Sequence, residues 1–172
     1  MPHTWSAILT TAPVLLAAMA LLAAAMHDLI ARTVPNRIAL VVALLGVVIH
    51  AVDGRLIASL IAGLTVFFVA ALCWRRGWLG GGDVKLLGAV AIVLPIAALP
   101  TFIVAMSIAG ALQAAIYLSL RHIIPQPDHV RPVGLMARGL RAERWRILRG
   151  GPLPYACAIT AGFLFVLCRQ GV

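Results

Sequence analysis

The sequence predicts an all-α, polytopic membrane protein with about six transmembrane helices. Three observations predict it: composition, the lengths of the apolar runs, and the placement of the basic residues. Of 172 residues, 63% are hydrophobic and 11% are charged, and the mean hydropathy is +1.05. Soluble domains are only about half apolar, so composition excludes a water-soluble class. A chain this short allows one compact domain, read as 1–172.

Apolar runs of about 17–25 residues span a bilayer as helices. Six are read, over 7–30, 38–52, 56–74, 84–99, 101–120 and 153–168. The third is bounded by Asp53-Gly54-Arg55 and by Arg75-Arg76. The fourth and fifth form one apolar stretch containing Pro95 and Pro100. Proline removes a backbone donor and disfavours helix just before it, so a tight turn is expected at Leu99-Pro100. Residues 1–6 lack Lys and Arg, and the first run exceeds a signal-peptide core. It is therefore read as a membrane helix.

The basic residues orient these helices. Twelve of the fourteen fall after runs one, three and five: Arg32 and Arg37, then Arg75, Arg76 and Lys85, then seven arginines between 121 and 149. Only Arg55 and Arg169 fall on the other side. By the positive-inside rule those three loops are cytoplasmic and both termini lie on the outer, periplasmic side of a bacterial inner membrane. The same topology accounts for the net charge of +9 without nucleic acid, for which the chain carries no recognisable binding module.

Cys73, Cys157 and Cys168 are odd in number and form no C-x-x-C pair, and the five histidines show no metal-ligand spacing. Neither a metal nor a cofactor is expected. His27 is read as interfacial packing. The acidic residues are Asp28, Asp53, Asp83, Asp128 and Glu143. Asp53 belongs with Gly54 to a turn, and Asp128 and Glu143 are expected to partner arginines of the 121–151 segment. Asp28 and Asp83 instead end apolar runs, at similar depth on the cytoplasmic face. Ionisable groups at membrane depth are costly and mark functional sites.

Two carboxylates held close share a proton, because like charges resist ionising together. One then deprotonates water while the other protonates the carbonyl or leaving amide. This is the chemistry of an aspartyl protease. Gly80 and Gly82 let the Asp83 segment approach another backbone. The competing explanation makes Asp83 a helix N-cap and pairs Asp28 with Arg32, four residues along the same helix.

Three blocks resemble one family. Asp28 precedes a basic turn with Pro35-Asn36; Gly80-Gly81-Gly82-Asp83-Val84-Lys85-Leu86 matches G-x-G-D-x-K-L; and Pro154-Tyr155 opens the last run. In that order they resemble the type IV prepilin peptidases, and most closely the short forms that process Flp-type (tight-adherence) prepilins. The resemblance covers nearly the whole chain. It implies that Asp28 and Asp83 are catalytic, that the substrate is a prepilin or pseudopilin, and that a basic leader is cut at the cytoplasmic face. Larger members carry a C-x-x-C insertion and methylate the new N-terminus. This chain lacks the insertion, so N-methyltransferase activity and S-adenosylmethionine are not expected. Ala156 stands where many members have glycine.

Secondary expectations attach to the remaining motif residues. Lys85 biases Asp83 toward ionisation or meets the substrate, with an anchor at the interface as the alternative. Pro35-Asn36 begins the second span, with Asn36 bonding substrate as the alternative, and Pro154 and Tyr155 line the site. In 121–151, Met136, Leu140, Ile147 and Leu148 fall near helical spacing, with Trp145 among arginines. That pattern predicts an interfacial helix on anionic lipid, with substrate or pilus-assembly proteins as alternative partners. The rival class is a non-enzymatic scaffold of a pilus or secretion machine. A carrier is disfavoured because the span centres hold no ionisable group, Gln113 being their strongest polar residue.

Overall fold

A computed structural model describes residues 3–125, 134–151 and 153–170. Asp128, His129, Arg131 and Pro152 lie outside the described residues, as do the side chains of Met136 and Leu140. Among the described residues the chain is all helical: α1 (His3–Ala31), α2 (Asn36–Val52), α3 (Leu56–Arg75), α4 (Gly81–Val93), a 3-10 turn (Ile96–Ala98), α5 (Leu99–Ile123), α6 (Leu135–Arg149) and α7 (Tyr155–Gln170). Helices satisfy every backbone group internally, as hydrocarbon demands. Three stretches are long and apolar enough to cross a membrane, Thr11–Ala31, Leu56–Arg75 and Ile96–Ile123, while α2 and α7 are shorter apolar helices. The chain is a membrane protein in which short helices pack among long ones.

The break between the fourth and fifth apolar runs lies earlier than expected. Leu94 is extended (φ −79°, ψ 143°) and ends α4 ahead of Pro95. Pro100 sits in the first turn of α5, where its missing N–H has no partner to lose. Both prolines carry the same local signal, but only Pro95 forces its predecessor out of the helix.

Helix α4 is the centre of the bundle. Nine of its thirteen residues are buried, Asp83 among them, and it packs against α2, α3 and α7. A helix covered on all sides must be apolar all round, which Val84-Lys85-Leu86-Leu87 and the residues after it nearly are. Small residues let the neighbours close in, as is usual between membrane helices. A Cβ on Gly46 of α2 would lie 2.8 Å from the Ile92 carbonyl carbon, and one on Gly63 of α3 would lie 2.3 Å from Ile92 Cγ1.

Because Pro95 ends α4 inside the bundle, its last carbonyls need outside donors. Ser59 Oγ of α3 donates to the Ile92 carbonyl at 2.8 Å, and His50 Nε2 of α2 donates to that of Val93 at 3.3 Å. These bonds fix the end of α4 far from Asp83. On the other side, α7 packs on α1 and α5. Thr160 Oγ1 reaches the Leu21 carbonyl of α1 at 3.0 Å, and Gly162 admits the Met106 backbone of α5, 2.9 Å from where a Cβ would stand.

Candidate active site

The end of α1, the starts of α2, α4 and α7, and the end of α5 gather at one end of the bundle, with α6 beside them. Contacts across the helices define this gathering: Lys85 with Asn36, Asp28 with Ala156, Gln113 with Pro154, and Arg32 with Glu143.

Asp28 lies in the last turn of α1 and is 7% exposed; Asp83 lies in the first turn of α4 and is 9% exposed. Carboxylates are almost never this buried without a partner or a task. The two act on each other electrostatically, so the structure brings together two acids 55 residues apart in sequence. Asp28 Oδ2 accepts the Ala156 N–H at 3.4 Å. That N–H is one of the free donors at the start of α7, a place where helices favour negative charge.

Asp83 is not the N-cap of its helix. Gly80 holds that position, with extended backbone (φ −74°, ψ 145°), and Asp83 is the third helical residue. From there its carboxylate reaches back to the Gly80 N–H, the acidic half of a capping box. The glycines serve this placement directly. A Cβ on Gly80 would stand 2.7 Å from Asp83 Oδ2, and one on Gly82 would stand 3.0 Å from Val34 Cβ. Gly82 thus lets the α4 start press against the loop that follows Asp28.

That loop is itself held. His27 Nδ1 donates to the Thr33 carbonyl at 2.6 Å, so His27 braces the connection between α1 and α2 beyond simple packing. Pro35 sits one residue before α2 as its N-cap, and Asn36 is the first helical residue. Lys85 Nζ donates to Asn36 Oδ1 at 2.8 Å. Two residues on from Asp83, Lys85 points about 200° away around the helix, toward α2 and away from the carboxylate.

Pro154 and Tyr155 begin α7. Pro154 is fully buried, and its carbonyl accepts Gln113 Nε2 of α5 at 3.2 Å. The Tyr155 ring lies against Gly110, where a Cβ would stand 3.0 Å from Cε2, and it is close enough to interact with Asp83 electrostatically. Sequence reasoning missed the roles of Gln113, Val34 and Tyr117. Gln113 carried the one visible signal, a lone amide in an apolar helix.

Arg32 follows α1 in the left-handed region (φ 55°). Its guanidinium pairs with Glu143 of α6, which also accepts the Tyr117 hydroxyl and Arg146 Nη1, the last at 3.1 Å. Glu143 was expected to partner arginines of its own segment. It does so through Arg146, and additionally reaches α1. Arg146 donates to the Leu29 and Ile30 carbonyls at 3.3 Å, where a cation complements the end of a helix. The basic helix α6 is thereby docked on the α1 end, with Ile147 buried beneath it. Two buried carboxylates anchored by backbone N–H groups, beside polar loops, form a site suited to acid–base hydrolysis.

A model of the type IV leader peptidase family matches residues 15–115. The match takes in Asp28, Pro35, Asn36, Gly80, Gly82, Asp83 and Lys85, and ends before Pro154 and Tyr155. No curated protein and no solved structure matches the chain.

Proposed function

The chain belongs to the type IV leader peptidase family, and on that premise we propose that it is an aspartic endopeptidase that removes the basic leader of Flp-type prepilins or pseudopilins. Asp28 and Asp83 are the catalytic pair. One observation carries the proposal: two buried carboxylates, one ending α1 and one opening α4, interact at the end of the bundle.

In the proposed reaction, one carboxylate takes a proton from water as it attacks the scissile carbonyl. The other donates its proton to the carbonyl oxygen, and the leaving amine is then protonated in turn. The Ala156 and Gly80 N–H groups orient the two carboxylates, so little reorganisation is needed at the moment of attack. The protein crosses the bacterial inner membrane several times, with this site at the cytoplasmic face. That orientation is supported by the crowding of basic residues around the same end. It does not methylate the product and uses no cofactor.

The test is processing of a Flp-type prepilin in membranes that hold equal amounts of wild type, Asp28→Asn or Asp83→Asn. Shortening by wild type and by neither variant supports the pair. Cleavage by either variant overturns the pair, and failure of wild type to shorten the prepilin favours a scaffold.

A further inference from the structure

Helices α2 and α3 both pack on α4 and little on each other. A groove of about 490 Å³ runs between them, with α4 as its floor. That volume falls in the range of small-ligand sites, about 300–1,000 Å³. Gly63 and Gly88 draw α3 against α4, where a Cβ on Gly88 would stand 3.0 Å from Phe67 Cβ. On the facing wall α2 places the short side chains of Ala39 and Ala43, which leave the space unfilled.

The groove is polar at one end alone. Asn36 and Arg37 from the first turn of α2 and Lys85 from near the start of α4 stand at its mouth, all three exposed. Every other lining residue is apolar, reaching Ile92, roughly 10 Å along α4 from Lys85. No carboxylate lines the groove, and among the described residues none pairs with Arg37 or Lys85. Lys85 gives one of its protons to Asn36, and donors on both cations remain for an anion.

The groove also faces away from the carboxylates. Lys85, Gly88, Ala89 and Ile92 lie about 140–240° around α4 from Asp83. A peptide seated between Asp28 and Asp83 is therefore on the other side of α4, and the groove is left to the bilayer. Hydrocarbon alone would fill the trough, but two cations at its mouth select a negative headgroup. Basic pockets between membrane helices hold anionic headgroups, and guanidinium–phosphate bonds are charge-assisted.

We propose that this groove binds one anionic phospholipid, with its phosphate on Arg37 and Lys85 and an acyl chain along the trough toward Ile92. None of the lining residues belongs to α6, so the site is separate from the basic surface of that helix. The bound phosphate joins the start of α2 to that of α4, beside the Lys85–Asn36 bond.

The experiment equilibrates the purified full-length chain with equal amounts of phosphatidylglycerol and phosphatidylcholine. Mass spectrometry of the intact protein then reads which lipid is retained. Wild type is expected to keep one phosphatidylglycerol with a preference of about tenfold or more, as two nearby cations supply. Arg37→Gln should lower that preference about fivefold. Arg75→Gln removes the same charge from the same end outside the groove, and should stay within about twofold of wild type. Ala43→Phe fills the trough with both cations kept, and should also lose the preference. Equal retention of the two lipids by wild type overturns the proposal, as does an equal loss in Arg75→Gln, which would mean surface charge alone. A preference that survives Ala43→Phe overturns the groove as the site. Should Arg37→Gln fail to accumulate, Ala43→Phe and Arg75→Gln decide on the same terms. Excess Flp-type prepilin should leave the lipid in place, and displacement would make the groove a substrate site instead. No arm measures cleavage, so failure here is distinct from failure of the catalytic reading of Asp28 and Asp83.

Discussion

Lys85 donates from Nζ to Asn36 Oδ1 at 2.8 Å, so the lysine that follows Asp83 ties the first turn of α4 to the first turn of α2. Asp83 and the loop after Asp28 are held in register by this bond and by the contact of Gly82 with Val34. Lys85→Met and Asn36→Leu should each reduce prepilin processing, and their combination should cost less than the sum. Both groups are exposed, so a double-mutant cycle should return a coupling of about 0.5–1 kcal/mol. Strict additivity would mean that the two residues act separately, for instance with Lys85 meeting substrate.

The two motif glycines should fail for different reasons. A Cβ at Gly80 meets the end of the Asp83 side chain at 2.7 Å, and that side chain can rotate away. Gly80→Ala should therefore leave the unfolding midpoint near wild type while abolishing cleavage. A Cβ at Gly82 meets Val34 Cβ at 3.0 Å, so the α4 start must shift. Trimming the neighbour makes room, and Gly82→Ala should regain activity when combined with Val34→Ala. Rescue of Gly80→Ala by the same Val34→Ala change would contradict this division.

How far the sequence revealed this arrangement depended on the range of each interaction. Asp28 and Asp83 stood out because an acid among apolar residues has few ordinary explanations, and the glycines before Asp83 announced a close approach. The partner of Arg32 did not stand out: Glu143 lies 111 residues away, while Asp28 offered a local alternative at helical spacing. The end of α4 lies one proline earlier than the sequence predicts, because Pro95 and Pro100 look alike until one knows which helix each belongs to. Six apolar runs were visible, and among the described residues three stretches form long apolar helices while α2 and α7 are shorter ones. Runs of residues record hydrophobicity, while tertiary packing and Pro95 decide where each helix stops.

Gln113 illustrates a polar residue whose task lies across the bundle. Its amide donates to the carbonyl of the fully buried Pro154, which precedes the α7 turn that presents the Ala156 N–H to Asp28. Gln113→Leu leaves that carbonyl with the Cys157 N–H alone, at 3.1 Å. The expected loss is about 0.5–1.5 kcal/mol of stability, read as a lowered unfolding midpoint in detergent, together with slower cleavage. Gln113→Glu, which accepts but does not donate when ionised, should not restore either property. An unchanged midpoint in Gln113→Leu would show that the bond contributes nothing net.

The far end of α4 offers the sharpest contrast in packing. Gly46 and Gly63 both face Ile92, but their contacts differ in kind. A Cβ at Gly63 would meet Ile92 Cγ1 at 2.3 Å, a side-chain atom, whereas one at Gly46 would also meet the Ile92 carbonyl carbon and the Val93 nitrogen at 2.8 Å. Overpacking of this kind costs about 1–3 kcal/mol, so either glycine-to-alanine change should lower the unfolding midpoint. Replacing Ile92 by alanine removes the nearest obstacle to Gly63→Ala, leaving the Gly88 carbonyl oxygen at 3.2 Å, and leaves the backbone obstacle to Gly46→Ala in place. In an Ile92→Ala background, Gly63→Ala should regain most of its loss and Gly46→Ala should regain little, its backbone contacts remaining. Because the His50 bond to Val93 and the Ser59 bond to Ile92 hold this same segment, pushing α2 off it should also tilt α4. Gly46→Ala should then slow cleavage as well as weaken the fold, although Asp83 lies at the opposite end of the helix. Equal relief of both glycine variants by Ile92→Ala would show that the α2 backbone yields, and that α4 is set less rigidly than these contacts imply.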